Sequence, residues 1–277
     1  MASDVIENHV SRLPPPDPAL WTPRAVERAV LVEALVDGRI AGPATHPLDN
    51  VRGNAQMLMD RDPDKEFGLR GLQDGMSFER IIDLVEQAAG APIDREARTG
   101  AVQIEPHAIL TACEAAGPRL AAARERGDRV VLATGHPTGL AHLYLSLSRW
   151  LDDGGAKVIT PGEGARWRDE RLDHDWVVEA HGGVVMLTDG REPRHTHSPH
   201  AMLRVLEAER PDLVFADHGF AGAAIEAGIE TISIADVNDP ALLVAKARGR
   251  TEHVFVFDDH VAPQDYWPVF VTLATNV

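Results

Sequence analysis

The sequence predicts an α/β fold: a mainly parallel, Rossmann-like sheet with helices on both faces, preceded by an α-helical N-terminal part. Three observations carry this expectation. From residue 128 onward, short apolar runs alternate with helical patterns, the order produced by parallel strands and crossover helices. Two of those runs, Val130–Thr134 and Asp212–Ala216, end in Gly-containing turns that lead straight into helical patterns. Before residue 127 the recognisable periodicity is helical.

Taken in order, Leu13-Pro-Pro-Pro-Asp-Pro18 reads as an extended, Pro-rich arm. Thr22-Pro23 offers a helix cap followed by a first-turn proline. Val26, Val30, Leu31, Ala34 and Leu35 then recur at helical spacing until Gly38. Residues 41–75 read as irregular. A second helix is expected from about Ser77 to Ala89, and a long third one from Glu105-Pro106 to about Arg126. Strand-like runs follow at Arg129–Thr134, Ala156–Thr160, Gly183–Leu187, Leu213–Ala216, Thr231–Ala235 and His253–Phe257. Helical patterns lie at 138–152, 199–210, 220–227 and 240–248. Trp167-Arg-Asp-Glu-Arg171 fits either an edge strand or a loop. The expected division is 1–127 as a helical part packed on the sheet, forming one wall of its cleft, and 128–277 as the Rossmann-like unit.

Composition narrows the function. Of 277 residues, 27 are Lys or Arg and 43 are Asp or Glu, a net charge of −16. Such a chain repels nucleic acid and anionic membrane surfaces, so neither is expected as a partner; a local cationic pocket stays open. Lys65, Lys157 and Lys246 are the three lysines. The single cysteine, Cys113, allows neither an internal disulfide nor a Cys-rich zinc site. The first residues lack a basic segment followed by an apolar one, and no apolar run approaches a membrane span. A cytoplasmic, soluble protein is expected, of undetermined oligomeric state.

The chemistry-bearing residues gather where strands end. In an open α/β sheet, ligands bind at the carboxyl ends of strands, where helix N-termini present free N–H groups. Gly135-His136-Pro137-Thr138-Gly139 follows the first buried run. Gly135 and Gly139 allow close backbone approach, Thr138 can cap a helix or bind an oxyanion, and His136 can transfer a proton. Asp217-His218-Gly219-Phe220-Ala221-Gly222 follows the second. Gly219 and Gly222 suit a phosphate cradle or close helix packing, and Asp217 can orient His218, bind a metal or act as a base. This segment lacks the full G-x-G-x-x-G spacing of a dinucleotide site. His195-Thr196-His197 can set two imidazoles on one side of an extended segment, as a metal site requires, with His200 close behind. Asp236-Val-Asn238-Asp239 follows another strand; Asp239 reads as a helix cap, leaving Asp236 and Asn238 as ligand contacts. His46, Asp49, Asn50, Arg52 and Asn54 form a dense polar patch in which Arg52 can neutralise an anion.

Several standard devices are absent. There is no Walker A loop, no G-x-S-x-G elbow and no H-E-x-x-H. Cys113 and Arg119 have the C-x₅-R spacing of cysteine phosphatases, but the thiol lies in a helical pattern beside Glu114, where a thiolate and a phosphate would both be repelled.

Ala133-Thr-Gly-His-Pro-Thr-Gly139, Ala216-Asp-His-Gly-Phe-Ala-Gly-Ala223 and Asp236-Val-Asn-Asp-Pro240 resemble a family of actinobacterial phosphatases. The resemblance runs through most of the sheet-forming half, with His46-Pro-Leu-Asp-Asn50 as an extension. It implies a class and leaves the mechanism open. The expected activity is hydrolysis of a phosphomonoester on a small phosphorylated metabolite. The glycine turns would cradle the phosphate, Arg52 would neutralise it, and His136 or His218 would serve as acid or nucleophile with Asp217. A divalent metal is left open, with Asp217, His218, His195 and His197 as its ligands. The competing classes are a non-catalytic nucleotide- or phosphosugar-binding protein, and a transferase using an activated sugar or nucleotide.

Overall fold

Parallel strands buried on both faces need near-continuous apolar runs, and four described segments of this chain supply them. Val130–Thr134, Val184–Thr188, Leu213–Asp217 and Thr231–Ala235 are buried at every position. The computed structural model describes residues 17–169 and 173–275. In chain order the elements are α1 (Arg28–Asp37), β1 (Gly42–Pro47), α2 (Leu48–Met59), α3 (Pro63–Glu66), α4 (Phe78–Ala89), β2 (Ala101–Ile104), α5 (Pro106–Arg126), β3 (Arg129–Thr134), α6 (Pro137–Asp153), β4 (Lys157–Val158), β5 (Arg166–Asp169), β6 (His174–His181), β7 (Val184–Thr188), α7 (His200–Ala208), β8 (Leu213–Asp217), α8 (His218–Glu226), β9 (Thr231–Ala235), α9 (Pro240–Ala247), β10 (His253–Val256) and α10 (Trp267–Thr275).

The main sheet runs β10-β9-β8-β3-β7-β6-β5, with β4 paired to the start of β3. Strands β10, β9, β8, β3 and β7 are mutually parallel. An antiparallel pair, β6 and β5, finishes one side. The α/β class and the helical N-terminal part follow the sequence expectation. From β3 the chain lays β4 beside it, runs out to the edge strand β5 and returns through β6 and β7, then crosses to lay β8 on the opposite side of β3. The strand order therefore reverses between β3 and β8. A ligand crevice opens at such a reversal, outside the carboxyl ends of the strands.

Local signals set the helix ends where expected. Ser77 caps α4 by accepting a hydrogen bond from the Arg80 N–H, and Gly90 closes it in the left-handed conformation. Gly127 closes α5 in the same way. The N-terminal helices share one continuous core with the sheet, from Leu31 and Leu35 through Phe215 and Phe255 to Phe270.

Four expectations need correction. Residues 41–75 are not irregular: they hold β1, α2 and α3. In α2 the buried residues Leu48, Val51, Ala55 and Leu58 follow helical spacing, but Asp49, Asn50, Arg52 and Gln56 between them hid the pattern. β1 pairs antiparallel with β2, and β2 was not anticipated. The first helix begins at Arg28 rather than near Thr22; the Thr22 hydroxyl instead donates to the Pro18 carbonyl. The eight-residue strand β6 and the C-terminal helix α10 were also missed. Trp167–Asp169 does lie in an edge strand, while most of the Pro-rich arm lies outside the described residues. Among the described residues, no helix is long and apolar enough to cross a membrane.

Cys113 sits inside α5, fully buried, and burial with the Glu114 charge beside it pushes the thiol up. Arg119 is engaged with Glu230 and Asp128. The C-x₅-R spacing therefore builds no phosphate loop. Native protein should leave Cys113 unreactive toward an aromatic disulfide reagent, with full reaction after denaturation. Fast labelling of the folded protein would contradict the burial. Gly222 is constrained by packing, since a Cβ there would stand 2.0 Å from the Phe67 carbonyl oxygen. Gly222→Ala should cost about 1–3 kcal/mol in chemical denaturation, the usual scale of overpacking. An unchanged midpoint would show that the contact yields freely.

Candidate active site

Strands β3 and β8 run side by side with Ala133 opposite Ala216, so the turns after them open on one edge. Asp217 ends β8 and is fully buried. Its Oδ1 accepts from the Gly135 N–H at 2.7 Å and from His218 Nδ1 at 2.8 Å, and its Oδ2 accepts from the Tyr144 hydroxyl at 2.7 Å. Burial alone would raise this carboxyl, but the His218 contact, aided by Tyr144, holds it below the usual range. Asp217 thus ties β3, α6 and α8 together. His218 opens α8 with φ of 45°, a left-handed conformation that a non-glycine residue adopts at a cost. Its Nε2 faces Asp239 Oδ2 at 3.3 Å and Asp259 Oδ2 at 3.8 Å. Burial pushes its pKa down, yet Asp239, Asp217 and Asp259 overcome that and lift it to about 10.

The ends of β9 and β10 supply carboxylates. Asp236, Asp239 and Asp259 are all buried. Asp236 accepts from the Val237 N–H, and its Oδ2 lies 3.6 Å from His46 Nε2. Burial and the charges of Asp259, Asp258 and Asp239 push Asp236 well above the carboxylate range. Asp259 goes the other way: burial raises it, but His136, His218 and His46 pull it down. Its Oδ2 stands 3.3 Å from His136 Nδ1. Neither of those two buried atoms completes a hydrogen bond with the described residues. His136, the residue before α6, has its pKa lowered by burial and raised more by Asp259. Asp239 precedes α9 but makes no capping hydrogen bond through its side chain. Its cap reading is therefore corrected: the carboxylate is turned to His218.

The loop after β7 closes the site from the other side. Thr196 is buried, and its N–H donates to the Gly135 carbonyl at 2.9 Å. This brings His195 to 4.7 Å from the His136 ring and 5.1 Å from the His218 ring, centroid to centroid. His195 is open to solvent on one side; its partial burial and the neighbouring imidazoles push it down to about 4. His197 stacks on His218 at 4.9 Å, and its Nδ1 lies 2.9 Å from Asp64 Oδ2 and 3.3 Å from Lys65 Nζ. His200 pairs with Ser198 at the exposed start of α7 and stays out of the cluster.

Of the residues expected at the site, His46, His136, His195, His197, Asp217, His218 and Asp236 come together. The remainder are placed differently. The glycines are accounted for by packing: a Cβ would meet the Thr196 carbonyl oxygen 2.4 Å from Gly135, the Asp259 carbonyl oxygen 2.3 Å from Gly139, and the His197 carbonyl oxygen 2.2 Å from Gly219. Each therefore lets a functional loop lie against a helix start. The Gly135 N–H is already spent on Asp217, and Gly222 lies inside α8 against Phe67. Thr138 and Asp49 are exposed. Asn238 donates to Asn50 Oδ1 at 2.9 Å and accepts from Asn54 at 2.9 Å through its carbonyl, which fastens α2 to the end of β9. Arg52 lies over the Phe78 ring at 5.2 Å and reaches the Arg95 carbonyl, so it is not the cluster's cation. Asp217, expected as a metal ligand, has both oxygens occupied by donors.

Sequence reasoning missed Asp258, Asp259 and His260. Asp258 accepts from the Thr45 N–H at 2.6 Å and the Thr45 hydroxyl at 2.9 Å, which clamps β1 and hence His46 to the sheet. His260 is exposed, with its ring 5.8 Å from that of His136 and 6.5 Å from that of His46. The signal was present: Asp258-Asp259-His260 follows β10 by one residue, a carboxylate and imidazole near a strand end like Asp217-His218. Lys65 and Tyr144 had no comparable signal. Among the described residues, three sets bring ligand atoms within 4.8 Å of one another: His136, His195 and His218; His197, His218 and Asp239; and His46, Asp236 and Asp259.

Comparison with known proteins agrees with this geometry in class. The family described as Phosphatase matches residues 26–275, which takes in every side chain of the cluster. Phosphatase SCO2771 of Streptomyces coelicolor is 34% identical over 262 residues, covering 92% of this chain and 97% of the relative. No solved structure matches. The match therefore spans both the N-terminal wall and the sheet edge, and the chain belongs to the phosphatase family.

Proposed function

We propose that the protein is a phosphomonoesterase that acts on a small phosphorylated metabolite. The observation that carries this reading is the convergence of His136, His195, His197 and His218 on buried carboxylates at the β3–β8 crevice. Imidazoles in that setting can hold an anion and move protons. The family supports the same class. A compact substrate suits a crevice walled by β1 and the His195–His197 loop, and the net charge of −16 disfavours polyanions.

Each group has a place in the hydrolysis. His218, oriented through Nδ1 by Asp217, presents Nε2 to the site. Positive charge held at that atom, as a proton or through a bound cation, faces the phosphoryl oxygens. His136 stands beside it as the second such group. Lys65, at the edge by His197, takes the charge-neutralising role expected of Arg52. Water attacks phosphorus, the ester P–O bond breaks, and the leaving oxygen needs a proton. We assign that step to His260, whose exposed ring lies 5.8 Å from that of His136 and 6.5 Å from that of His46; it regains the proton from water.

Phosphate release over a panel of phosphomonoesters, with and without EDTA and added divalent ions, tests the reading. Asp217→Asn should lower turnover about 10²-fold or more, the scale of a lost acid–base partner, with a much smaller loss in calorimetric affinity. His260→Ala should slow alkyl phosphates far more than aryl phosphates, whose leaving groups need no proton. Unchanged turnover in folded Asp217→Asn would remove the Asp–His pair from the chemistry. Equal losses on both ester types would remove His260 as the acid.

A further inference from the structure

The carboxyl edge of the sheet gathers more ligating atoms than its hydrogen bonds use. His46, Asp236 and Asp259 form one compact set, and His136, His195 and His218 another, each within 4.8 Å. Asp259 Oδ2 lies beside the second set as well, 3.3 Å from His136 Nδ1 and 3.8 Å from His218 Nε2. His136 Nδ1 and Asp259 Oδ2 are buried and have no hydrogen-bond partner among the described residues. Buried polar atoms that stop short of a hydrogen bond are costly, and these two, one from each set, face each other as an ion pair at 3.3 Å.

We propose that this edge holds two divalent metal ions, one on His46, Asp236 and Asp259 and the other on His136, His195 and His218, with the Asp259 carboxylate between them. The proposal rests on the phosphatase reading and deepens it.

Geometry selects these sets over the third. His197, His218 and Asp239 are also close, but His218 has one nitrogen to offer, because Nδ1 is held by Asp217. The ring of His197 lies parallel to that of His218, 8° from coplanar orientation. Imidazole lone pairs lie in the ring plane, so two stacked rings cannot both aim at one ion. The rings of His136 and His195 are inclined to His218 by 46° and 64°, so neither is stacked on it, and their ligand atoms lie within 4.8 Å of one another. His197 is then a wall that fixes the His218 ring. Asp239, 3.3 Å from His218 Nε2, adds a carboxylate on that side.

The surroundings are those of a metal centre. Asp217 accepts from the far nitrogen of His218, the carboxylate–histidine arrangement that orients a ligating imidazole. The donors are imidazole nitrogen and carboxylate oxygen with no thiolate, a set that favours Zn²⁺, Mn²⁺ or Fe²⁺ over Mg²⁺. A bridged pair of such ions suits phosphoryl transfer: one side lowers the pKa of the attacking water and the other steadies the phosphoryl oxygens. The attacking water gives its proton to solvent as its oxygen bonds to phosphorus. The ester oxygen leaves with the electron pair of its P–O bond and is protonated.

The test counts ions without substrate. Protein stripped by dialysis against EDTA is titrated with Mn²⁺ or Zn²⁺ and desalted. Its metal content is read by plasma mass spectrometry, with circular dichroism as the fold control. The wild type should retain two ions per chain. His46→Ala and His195→Ala should each retain about one, and the double variant none. His195 is solvent-open, so its removal leaves the core intact. Retention of one ion or none by the wild type, or of two by folded His195→Ala, overturns the assignment. Two bound ions without phosphate release from any monoester would support the centre and remove the phosphatase reading, so the two failures are distinguishable.

Discussion

The structure depends on one arrangement: five aspartates placed together at the carboxyl ends of three neighbouring strands, with imidazoles set among them. Asp217, Asp236, Asp239, Asp258 and Asp259 are all buried. Buried carboxylates are tolerated only when donors or cations meet them. Asp217 and Asp258 are met by the protein itself, the first by Gly135, Tyr144 and His218, the second by Thr45 and the His260 N–H. These two act as structural pins. Asp217 fastens the crevice, and Asp258 draws β1 across the sheet so that His46 reaches Asp236.

Asp236 and Asp239 are met by backbone N–H groups, and Asp259 Oδ2 completes no hydrogen bond among the described residues. Burial and the neighbouring carboxylates push Asp236 up, while the imidazoles hold Asp259 down against its burial. Geometry sets imidazole and carboxylate atoms within 4.8 Å of one another at this edge. The rest of the fold serves that arrangement. Gly139 lets α6 lie against the Asp259 backbone, and Gly219 lets α8 lie against His197 and Ser198. The glycines that look like a phosphate cradle in the sequence are explained by the close packing of the loops that carry the site's imidazoles and carboxylates.

The sheet was legible because its parallel strands are apolar at nearly every position, and Arg129–Thr134 and Thr231–Ala235 were located to the residue. The N-terminal wall was not, because α2 carries its polar face in the same residues that dominate the segment's composition. At the site, a histidine in a strand-end turn was a sound signal for His136 and His218. The same signal at Asp259-His260 was passed over, since Phe257-Asp258-Asp259 follows its strand without a glycine turn. Arg52 shows the limit of composition: an arginine amid polar residues invited an anion, while helical phase turned it onto Phe78. Lys65 could not have been found, because only the fold brings α3 against the His197 loop.

Calorimetric melting of metal-free protein, with and without saturating Mn²⁺ or Zn²⁺, tests the central claim most directly. At about 100 times the dissociation constant a ligand that binds only the folded state adds about 2.7 kcal/mol. That should raise the midpoint by about 5–10 °C for a chain of this size. Asp236→Asn relieves repulsion among the buried carboxylates, so its metal-free midpoint should exceed that of the wild type and its response to metal should shrink. A wild-type midpoint unmoved by either ion, together with an Asp236→Asn midpoint below that of the wild type, would contradict the account.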